Sequence, residues 1–239
     1  MKGYIHSYES LAAVDGEGLR YGVFLSGCPL RCIYCHNPDT WFKSENEIDA
    51  ESLVRKISRY KTYFGENGGV TFSGGEPLLQ AEFLLETIPY LKNENINYII
   101  DTSGIVDLTP DVCNVLENSQ AVLLDMKFWD SDTYTKYTGG DIQKVLDTLS
   151  YLDSIHKKTV IRTVIVPGIN DSEEKIDKYL NLLSNYSCIT KYELLGFHTM
   201  GFFKYENLGI ENKLKNVDPL PQDKLKKLQL YTNTKIGLS

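Results

Sequence analysis

Three cysteines near the start of the chain have the type and spacing that most directly indicate chemistry. Cys28, Cys32 and Cys35 follow the pattern C-x3-C-x2-C, and His36 comes directly after them. Thiolates are the ligands of iron–sulfur clusters, and a 4Fe–4S cube normally takes one cysteine on each iron. Because one short loop holds three cysteines and no fourth is near, the spacing predicts a cube with one iron open to a substrate or cofactor.

Two other interpretations of these cysteines stay open at this point. A structural Cys3His zinc site would include His36, although zinc modules usually bring their ligands as two separated pairs, and adjacent Cys35 and His36 fit one tetrahedron poorly. A redox or disulfide set is the other, and an odd total of 5 cysteines argues against a disulfide scaffold. Cys113 and Cys188 are isolated, so we predict that each is a small buried hydrophobic residue in a helix or at a helix end.

The composition is that of an ordinary globular protein. At 239 residues, with 42% hydrophobic and 24% charged residues, the chain can form one large domain, which we predict to span residues 1–239. No apolar run approaches the length of a membrane span, and the first residues lack an apolar signal region, so no membrane partner is expected. The net charge of −7 disfavours a nucleic-acid partner. Free thiols and an oxygen-sensitive cluster predict a cytoplasmic protein.

Short apolar, β-branched runs alternate with longer amphipathic segments, which is typical of a parallel sheet with crossover helices. The predicted strands span residues 21–26, 69–73, 97–101, 121–126, 160–166 and 192–197. About six βα units are fewer than the eight of a closed barrel. We therefore predict an α/β fold, a partial (β/α)6 TIM-like barrel that is open on one side.

The predicted helices have recognisable starts. Asp49 is the expected N-cap of a helix whose apolar face extends to Phe64. Thr109, which precedes a proline, is the expected N-cap of another. Asp171 and Glu174 resemble a capping box at the start of a third. Further helices are predicted over residues 81–93, 142–156 and 222–231.

Polar residues and glycines cluster at the carboxyl ends of the predicted strands, where barrels and open sheets build their active sites. The cysteine loop follows the first strand, and Gly-Gly-Glu at residues 74–76 follows the second. Glycines let a ligand approach the backbone, and a glutamate beside them can accept hydrogen bonds from an amine. Asp101, Thr102, Asp125 and Lys127 lie at the ends of the third and fourth strands, Arg162 lies within the fifth, and His198 closes the sixth. Their joint placement around the cysteine loop predicts a single site.

These motifs resemble those of the radical S-adenosylmethionine superfamily and, within it, of the glycyl-radical-enzyme activases. The cysteine loop and residues 74–76 carry the resemblance to the superfamily. The resemblance to the activases extends through nearly the whole chain, in IHSYES (5–10), VDGEGLR (14–20), YCHNPDTW (34–41), DTSG (101–104), LDMK (124–127), VIVPG (164–168) and ELLGFH (193–198). Within one radical S-adenosylmethionine domain we place the cluster loop at residues 26–41 and a C-terminal extension at about 199–239.

The resemblance implies a specific chemistry. Cys28, Cys32 and Cys35 would bind three irons of one 4Fe–4S cluster, and S-adenosylmethionine would chelate the fourth. A one-electron donor, flavodoxin or ferredoxin, would reduce the cluster, and cleavage of S-adenosylmethionine would yield methionine and a 5′-deoxyadenosyl radical equivalent. That radical would take a hydrogen atom from a backbone glycine of a glycyl radical enzyme. Pyruvate formate-lyase is the first candidate, another glycyl radical lyase or a small molecule is the alternative, and the activase is expected to be a monomer.

The resemblance also implies roles for individual residues. Contacts with the cofactor are expected from Tyr34, Asn37, Gly74, Gly75, Glu76, Arg162 and His198. A monovalent cation, Na⁺ or K⁺, is expected at Asp101, Thr102, Leu123 and Asp125. Two nearby carboxylates repel each other unless a cation lies between them, and hard cations choose oxygen ligands. Catalytic roles are expected for Asp15, in the loop that meets the glycine peptide, and for Lys127.

Three positions depart from the family pattern. Glu17 stands where the family often has proline, Pro77 where it often has alanine, and Asn212 where a tyrosine is usual. No cysteine lies between Cys35 and Cys113, so the chain lacks the ferredoxin-like insert that many other activases carry there. This absence favours pyruvate formate-lyase as the partner.

Overall fold

A computed structural model describes residues 1–13 and 15–236 of the chain. The strands are β1 (Lys2–Ala12), β2 (Arg20–Leu25), β3 (Glu47–Asp49), β4 (Gly69–Gly74), β5 (Tyr98–Thr102), β6 (Ala121–Asp125), β7 (Thr159–Ile165) and β8 (Ile189–Gly196). The helices are α1 (Ala50–Ser58), α2 (Ala81–Asn93), α3 (Pro110–Asn118), α4 (Ser131–Thr138), α5 (Ile142–Ser154), α6 (Glu173–Leu183), α7 (Phe202–Leu208) and α8 (Gln222–Lys235). Strands and helices alternate along most of this part of the chain, as the sequence predicts.

The strands form one eight-stranded sheet in the order β3-β1-β2-β4-β5-β6-β7-β8. The six strands from β2 and β4 to β8 pair in parallel and correspond to the six predicted strands. β1 and β3 add two antiparallel strands at one edge, which the sequence analysis does not include. Because β3 and β8 are separate edges, the barrel is not closed, and the predicted open α/β barrel is confirmed.

The period of two along each strand divides the sheet into a helix-covered face and a lumen face. In β6, Val122 and Leu124 are buried in the main core, which the helices cover. Leu123, one position along, packs instead with Ile99 and Ala121 in a small separate cluster. Asp125 follows two positions later on the face of Leu123. The lumen therefore has an apolar layer and, nearer the carboxyl ends of the strands, a charged layer.

Two of the three predicted helix starts are confirmed. The Asp49 side chain accepts a hydrogen bond from the Ser52 N–H at 2.8 Å, and Thr109 caps α3 in the same way. The third is wrong by one residue, because Ser172 is the N-cap of α6 and Asp171 accepts from a loop N–H instead. The first helix is also shorter than its apolar pattern, since α1 ends at Ser58.

The predicted C-terminal extension contains α7 and α8. α8 packs against β8 and α6, whereas α7 packs against the cluster loop. Residues 237–239 of the extension, and Val14 of the VDGEGLR motif, lie outside the described residues. Among the helices of the described part, none is long and apolar enough to cross a membrane.

Candidate active site

A cavity of about 300 Å³ lies at the carboxyl ends of the parallel strands. Its walls include thirteen of the predicted site residues: Asp15, Cys28, Cys32, Tyr34, Cys35, Asn37, Gly74, Gly75, Asp101, Thr102, Asp125, Lys127 and Arg162. Two larger cavities also occur, but no cysteine is among the described residues that line them. Glu76, Leu123 and His198 do not line the cavity.

The cysteine loop is held by backbone hydrogen bonds to the end of α4. Arg31 N–H donates to the Thr138 carbonyl at 2.8 Å, and Ile33 N–H donates to the Tyr137 carbonyl at 3.0 Å. Cys32 is 7% exposed, and its neighbours Leu30 and Tyr34 are buried in the main core. The loop is thus anchored in the core while its three thiols face one space.

The chemistry of the thiols fits an iron–sulfur cluster. Burial raises the pKa of Cys28 to about 11 and that of Cys32 to about 12. Thiolates at this place therefore need cationic partners, which the irons of a cluster supply. Tyr34 lines the cavity, and its hydroxyl is buried without a hydrogen-bond partner.

The thiols do not share one point in space. Among residues 1–13 and 15–236, no three His, Cys, Asp or Glu side chains lie close enough together to hold a single metal ion. A tetrahedral zinc site requires such convergence. A cube instead binds each thiolate at a separate iron and does not require the three thiols to converge on one point.

The glycine pair packs directly against the cluster loop. Gly74 has a φ of +110°, and a Cβ atom on Gly75 would lie 2.1 Å from the Gly27 carbonyl oxygen. Gly75 N–H donates to the Leu25 carbonyl at 2.9 Å. Any side chain at Gly75 would therefore push the cysteine loop away from β4. These steric and backbone requirements account for glycine at both positions even if no ligand binds there.

Glu76 lies behind the cavity wall and is fully buried. Its carboxylate accepts hydrogen bonds from Ser103 N–H at 2.9 Å and Ser103 Oγ at 2.5 Å, and from Thr102 Oγ1 and Leu78 N–H. Burial raises the pKa of Glu76, and these four donors oppose that shift. The carboxylate braces the segment that follows β5, and a contact between Glu76 and a cofactor amine stays a prediction.

The charged layer joins two carboxylates to two cations. The guanidinium of Arg162 donates to both Asp101 and Asp125, and Lys127 Nζ lies 3.0 Å from Asp125 Oδ2. Burial raises the pKa of Asp101 despite Arg162. For Asp125 the effect of burial is outweighed by Lys127 and Arg162, and its pKa is lowered. The positive charge expected between the two aspartates is thus supplied, in this structure, by Arg162.

The predicted cation ligands do not all meet. Asp101, Thr102 and Asp125 line the cavity, but the Leu123 side chain lies in the apolar layer of the lumen. The Thr102 hydroxyl donates to Glu76 at 2.7 Å. Of the four predicted ligands, Asp101 and Asp125 therefore offer the charged oxygen atoms at the cavity.

A second cavity of about 770 Å³ runs alongside the first in the lumen. Leu195 lines both cavities, and Asp15 lines the first while its neighbour Gly16 lines the second. Gly16 has a φ of +124°, and a Cβ atom there would lie 2.6 Å from Ile99 Cδ1. The loop between β1 and β2 thus borders both cavities.

A buried arginine that the sequence analysis did not single out fixes this loop. Arg20 Nε donates to Thr71 Oγ1 at 2.8 Å, and Thr71 Oγ1 donates to the Asp15 carbonyl at 2.7 Å. Arg20 also donates to the Glu17 carbonyl at 3.0 Å. Burial lowers the pKa of Arg20 to about 10. Its place at the end of the VDGEGLR segment is the signal that could have identified it.

The C-terminal extension also clamps the cluster loop through α7, which the sequence analysis missed. Lys204 Nζ donates to Asn37 Oδ1 at 2.7 Å and lies 2.9 Å from Asp39 Oδ2. His6 Nε2 lies 3.0 Å from the same carboxylate, and Tyr205 Oη donates to the Cys35 carbonyl at 2.9 Å. No local pattern predicts a contact 167 residues apart in sequence.

Two histidines stack beside the cluster loop. The rings of His36 and His198 have centroids 3.6 Å apart, and His36 lines the cavity with His198 behind it. His36 Nε2 and His198 Nδ1 are buried without hydrogen-bond partners. Burial, followed by the neighbouring His198, lowers the pKa of His36 to about 4.

We expect the free energy of unfolding of the cofactor-free protein to fall by roughly 1 to 3 kcal/mol between pH 6.5 and pH 4 through His36. The unfolded chain takes up its histidine proton first as pH falls, so this stability is present above pH 6.5 and lost below it. Urea denaturation of the wild type and of His36→Phe, at about pH 7 and about pH 5, measures the effect. The variant should show the smaller difference. His156→Asn, at an exposed position, is the control, and equal differences in all three proteins would refute the prediction.

Comparison with known proteins supports what the site suggests. The family model of the radical S-adenosylmethionine superfamily matches residues 23–180. Pyruvate formate-lyase-activating enzyme of Clostridium pasteurianum is 44% identical over 231 residues, which cover 96% of each chain. The enzyme of the same name from Staphylococcus epidermidis is 41% identical, over 98% of this chain and 96% of its own.

Solved structures share the fold at low sequence identity. SuiB of Streptococcus suis, bound to its precursor peptide SuiA, superposes with a TM-score of 0.68 at 17% identity, over 88% of this chain and 44% of its own. A domain of pyruvate-formate lyase-activating enzyme from Bacteroides vulgatus superposes with a TM-score of 0.57 at 21% identity, over 72% of this chain and 96% of its own.

Proposed function

Because the chain belongs to the radical S-adenosylmethionine superfamily and, within it, to the family of pyruvate formate-lyase-activating enzymes, we propose that it installs a glycyl radical on pyruvate formate-lyase. The observation that carries this proposal is the single cavity in which the three cysteines meet the strand-end charges, beside a groove large enough for a peptide. The enzyme is an oxidoreductase of the activase type. We further propose that residues 1–239 form one domain. The enzyme would act as a cytoplasmic monomer, with flavodoxin or ferredoxin as its reductant.

The chain's own residues bind and orient the reacting groups. Cys28, Cys32 and Cys35 would hold a 4Fe–4S cluster, with the backbone beside Gly75 and the Asn37 side chain next to S-adenosylmethionine. When bound and reduced, these cofactors supply a 5′-deoxyadenosyl radical equivalent that can take a hydrogen atom from a glycine. Arg162 holds the carboxylates of the charged layer in fixed positions, so a zwitterionic ligand meets a preorganised field.

The loop between β1 and β2 would align the glycine. Arg20 and Thr71 hold the carbonyl groups of Asp15 and Glu17, so the loop enters the lumen in a defined position. A partner peptide that extends from the second cavity into the first cavity would pass this loop. Hydrogen abstraction is sensitive to the position of the glycine, and an error of about 1 Å lowers the rate by a large factor.

Mixing the reduced enzyme and S-adenosylmethionine with purified pyruvate formate-lyase should produce a glycyl radical signal in electron paramagnetic resonance. A peptide that copies the partner's glycine loop should also react, at least about tenfold more slowly because the remote contacts of the full protein are missing. Deuterium on that glycine should be found in the 5′-deoxyadenosine product. Transfer of the label shows which hydrogen atom the enzyme takes.

Two outcomes would contradict the proposed function. One is label that is released only into solvent. The other is label transferred from a small molecule when no protein partner is present, which would move the enzyme to the small-molecule class. A peptide in which alanine replaces the glycine is the matched control and should yield no labelled product.

The activity should depend on which monovalent cation is present. Asp101 and Asp125 offer hard oxygen ligands at the cavity, and Na⁺ and K⁺ differ in the coordination that they prefer. Rates in sodium, potassium and a bulky organic cation should differ by about tenfold or more, and Asp125→Ala should weaken S-adenosylmethionine binding, measured by calorimetry. Identical kinetics in all three salts would count against a cation site, since Arg162 and Lys127 would then supply the whole positive charge.

A further inference from the structure

The outward side of the cluster loop carries an exposed aromatic and cationic surface. We define it by Arg31, Trp41 and Phe42 together with the next residue, Lys43, whose Nζ lies 3.5 Å from the Tyr4 ring centroid, and refer to it as the outer patch. Phe42 is 53% exposed, and Arg31 and Lys43 are exposed as well. The Arg31 guanidinium lies over both aromatic rings, 5.0 Å from the Trp41 centroid and 5.8 Å from the Phe42 centroid.

The outer patch touches the cluster ligands directly. Arg31 Nη1 donates to the Cys28 carbonyl at 2.7 Å, and Cys28 N–H donates to the Trp41 carbonyl at 3.3 Å. Trp41 also lines the cavity into which the three thiols face. A redox centre that docks on Phe42 would therefore be separated from the thiols by about one layer of side chains.

The other described sides of the cluster loop are covered. Toward the interior, Leu30 and Cys32 pack in the main core, and the backbone binds the end of α4. On the side of the C-terminal extension, the loop is covered by Tyr205 of α7 and by Gly201, the residue before α7. The cavity side must accept the cofactor and the glycine peptide. An electron donor that acts while cofactor and peptide fill the cavity would therefore reach the cluster loop from the outer patch.

The charges of the outer patch select the kind of donor. Within residues 1–13 and 15–236, neither Arg31 nor Lys43 lies within 4.0 Å of a carboxylate oxygen, although the whole chain has a net charge of −7. Arginine and aromatic residues are enriched in the cores of protein interfaces. Redox encounters typically use small interfaces that rely on electrostatic complementarity. A small acidic protein matches such a surface.

We propose that the outer patch is the docking surface for an acidic one-electron carrier protein, which reduces the cluster through Trp41 and Arg31. One electron passes from the reduced carrier to the oxidised cluster, so the carrier is oxidised by one electron and no bond is made or broken in this step. The inference rests on the proposed function, because it presumes a cluster that must be reduced.

The test compares a protein donor with a small-molecule donor. Reduction of the cluster is followed by its loss of visible absorbance, first with purified, fully reduced flavodoxin and then with dithionite. Lys43→Glu and Phe42→Ser should each slow reduction by flavodoxin about tenfold at low salt, and Lys43→Glu should flatten its dependence on salt. Reduction by dithionite should be unchanged. Lys226→Glu, on α8, makes the same change of charge at an exposed site away from the loop and should have no effect.

Two results would overturn the docking surface. The first is flavodoxin reduction within about twofold of the wild-type rate in both Lys43→Glu and Phe42→Ser. The second is an equal slowing in Lys226→Glu, which would indicate a general effect of net charge. Iron and sulfide analysis of each variant verifies that the cluster is intact. The proposed function is judged separately, because dithionite-reduced enzyme should still form the glycyl radical whichever surface the donor uses.

Discussion

Replacing Cys28, Cys32 or Cys35 by alanine is expected to abolish the intact cluster and all detectable activity. Each thiol lines the cavity and would bind a separate iron, so the loss of one leaves an iron without its protein ligand. Iron and sulfide analysis of anaerobically purified protein, together with electron paramagnetic resonance after reduction, measures the loss. The wild-type protein should be brown.

The remaining cysteines are the matched controls for this experiment. Cys113 lies in α3, and its thiol lies 3.8 Å from the Leu108 carbonyl, while Cys188 is 5% exposed just before β8. Alanine at either position should preserve cluster and activity, at a cost in stability of about 1 kcal/mol from lost packing. Iron lost in Cys113→Ala but kept in Cys32→Ala would overturn the ligand assignment. Colourless protein with stoichiometric zinc would instead favour the zinc site.

The parallel part of the fold could be predicted because most of its strands, from β2 to β7, are buried on both faces. Such strands have nearly continuous apolar sequences, and their carboxyl ends are marked by polar residues such as Asp101 and Asp125. The antiparallel strands β1 and β3 lack this signal. β1 is partly exposed along much of its length, and β3 has three residues.

Glu76 and Lys204 show why the site could be predicted only in part. The type and position of Glu76 suggest a ligand for an amine, yet its orientation depends on Ser103 and Thr102, which come from another strand. Lys204 reaches Asn37 across 167 residues of sequence. Local patterns indicate which residues gather at the strand ends, whereas the direction of each carboxylate is decided by long-range partners.

Arg162→Met is expected to destabilise the protein by about 3 to 5 kcal/mol near pH 7. The Arg162 side chain is 9% exposed and binds both Asp101 and Asp125, so its removal leaves two close carboxylates, 10% and 28% exposed, with Lys127 as their remaining cation. Methionine retains most of the volume, so the loss reports charge more than packing. Urea denaturation of cofactor-free protein measures it.

The pH dependence of this loss distinguishes charge from packing. Without Arg162, the pKa of Asp101, which burial already raises, should rise further. A carboxyl group whose pKa is raised in the folded state destabilises the fold most above that raised pKa, and the penalty shrinks as pH falls from that value toward the ordinary carboxyl pKa of the unfolded chain. The deficit of Arg162→Met should therefore shrink as pH falls from about 7 to about 5.

A double variant tests whether the charges of Asp101 and Arg162 are coupled. In Asp101→Asn with Arg162→Met, a buried charge is removed together with its partner, so the double variant should be more stable than Arg162→Met alone near pH 7. Arg162→Lys, which keeps the charge but loses the fork that spans both aspartates, should lie between Arg162→Met and the wild type. A double variant less stable than Arg162→Met, or a deficit independent of pH, would mean that Arg162 acts by filling space. The charged layer would then not be an electrostatic unit that orients the cofactor.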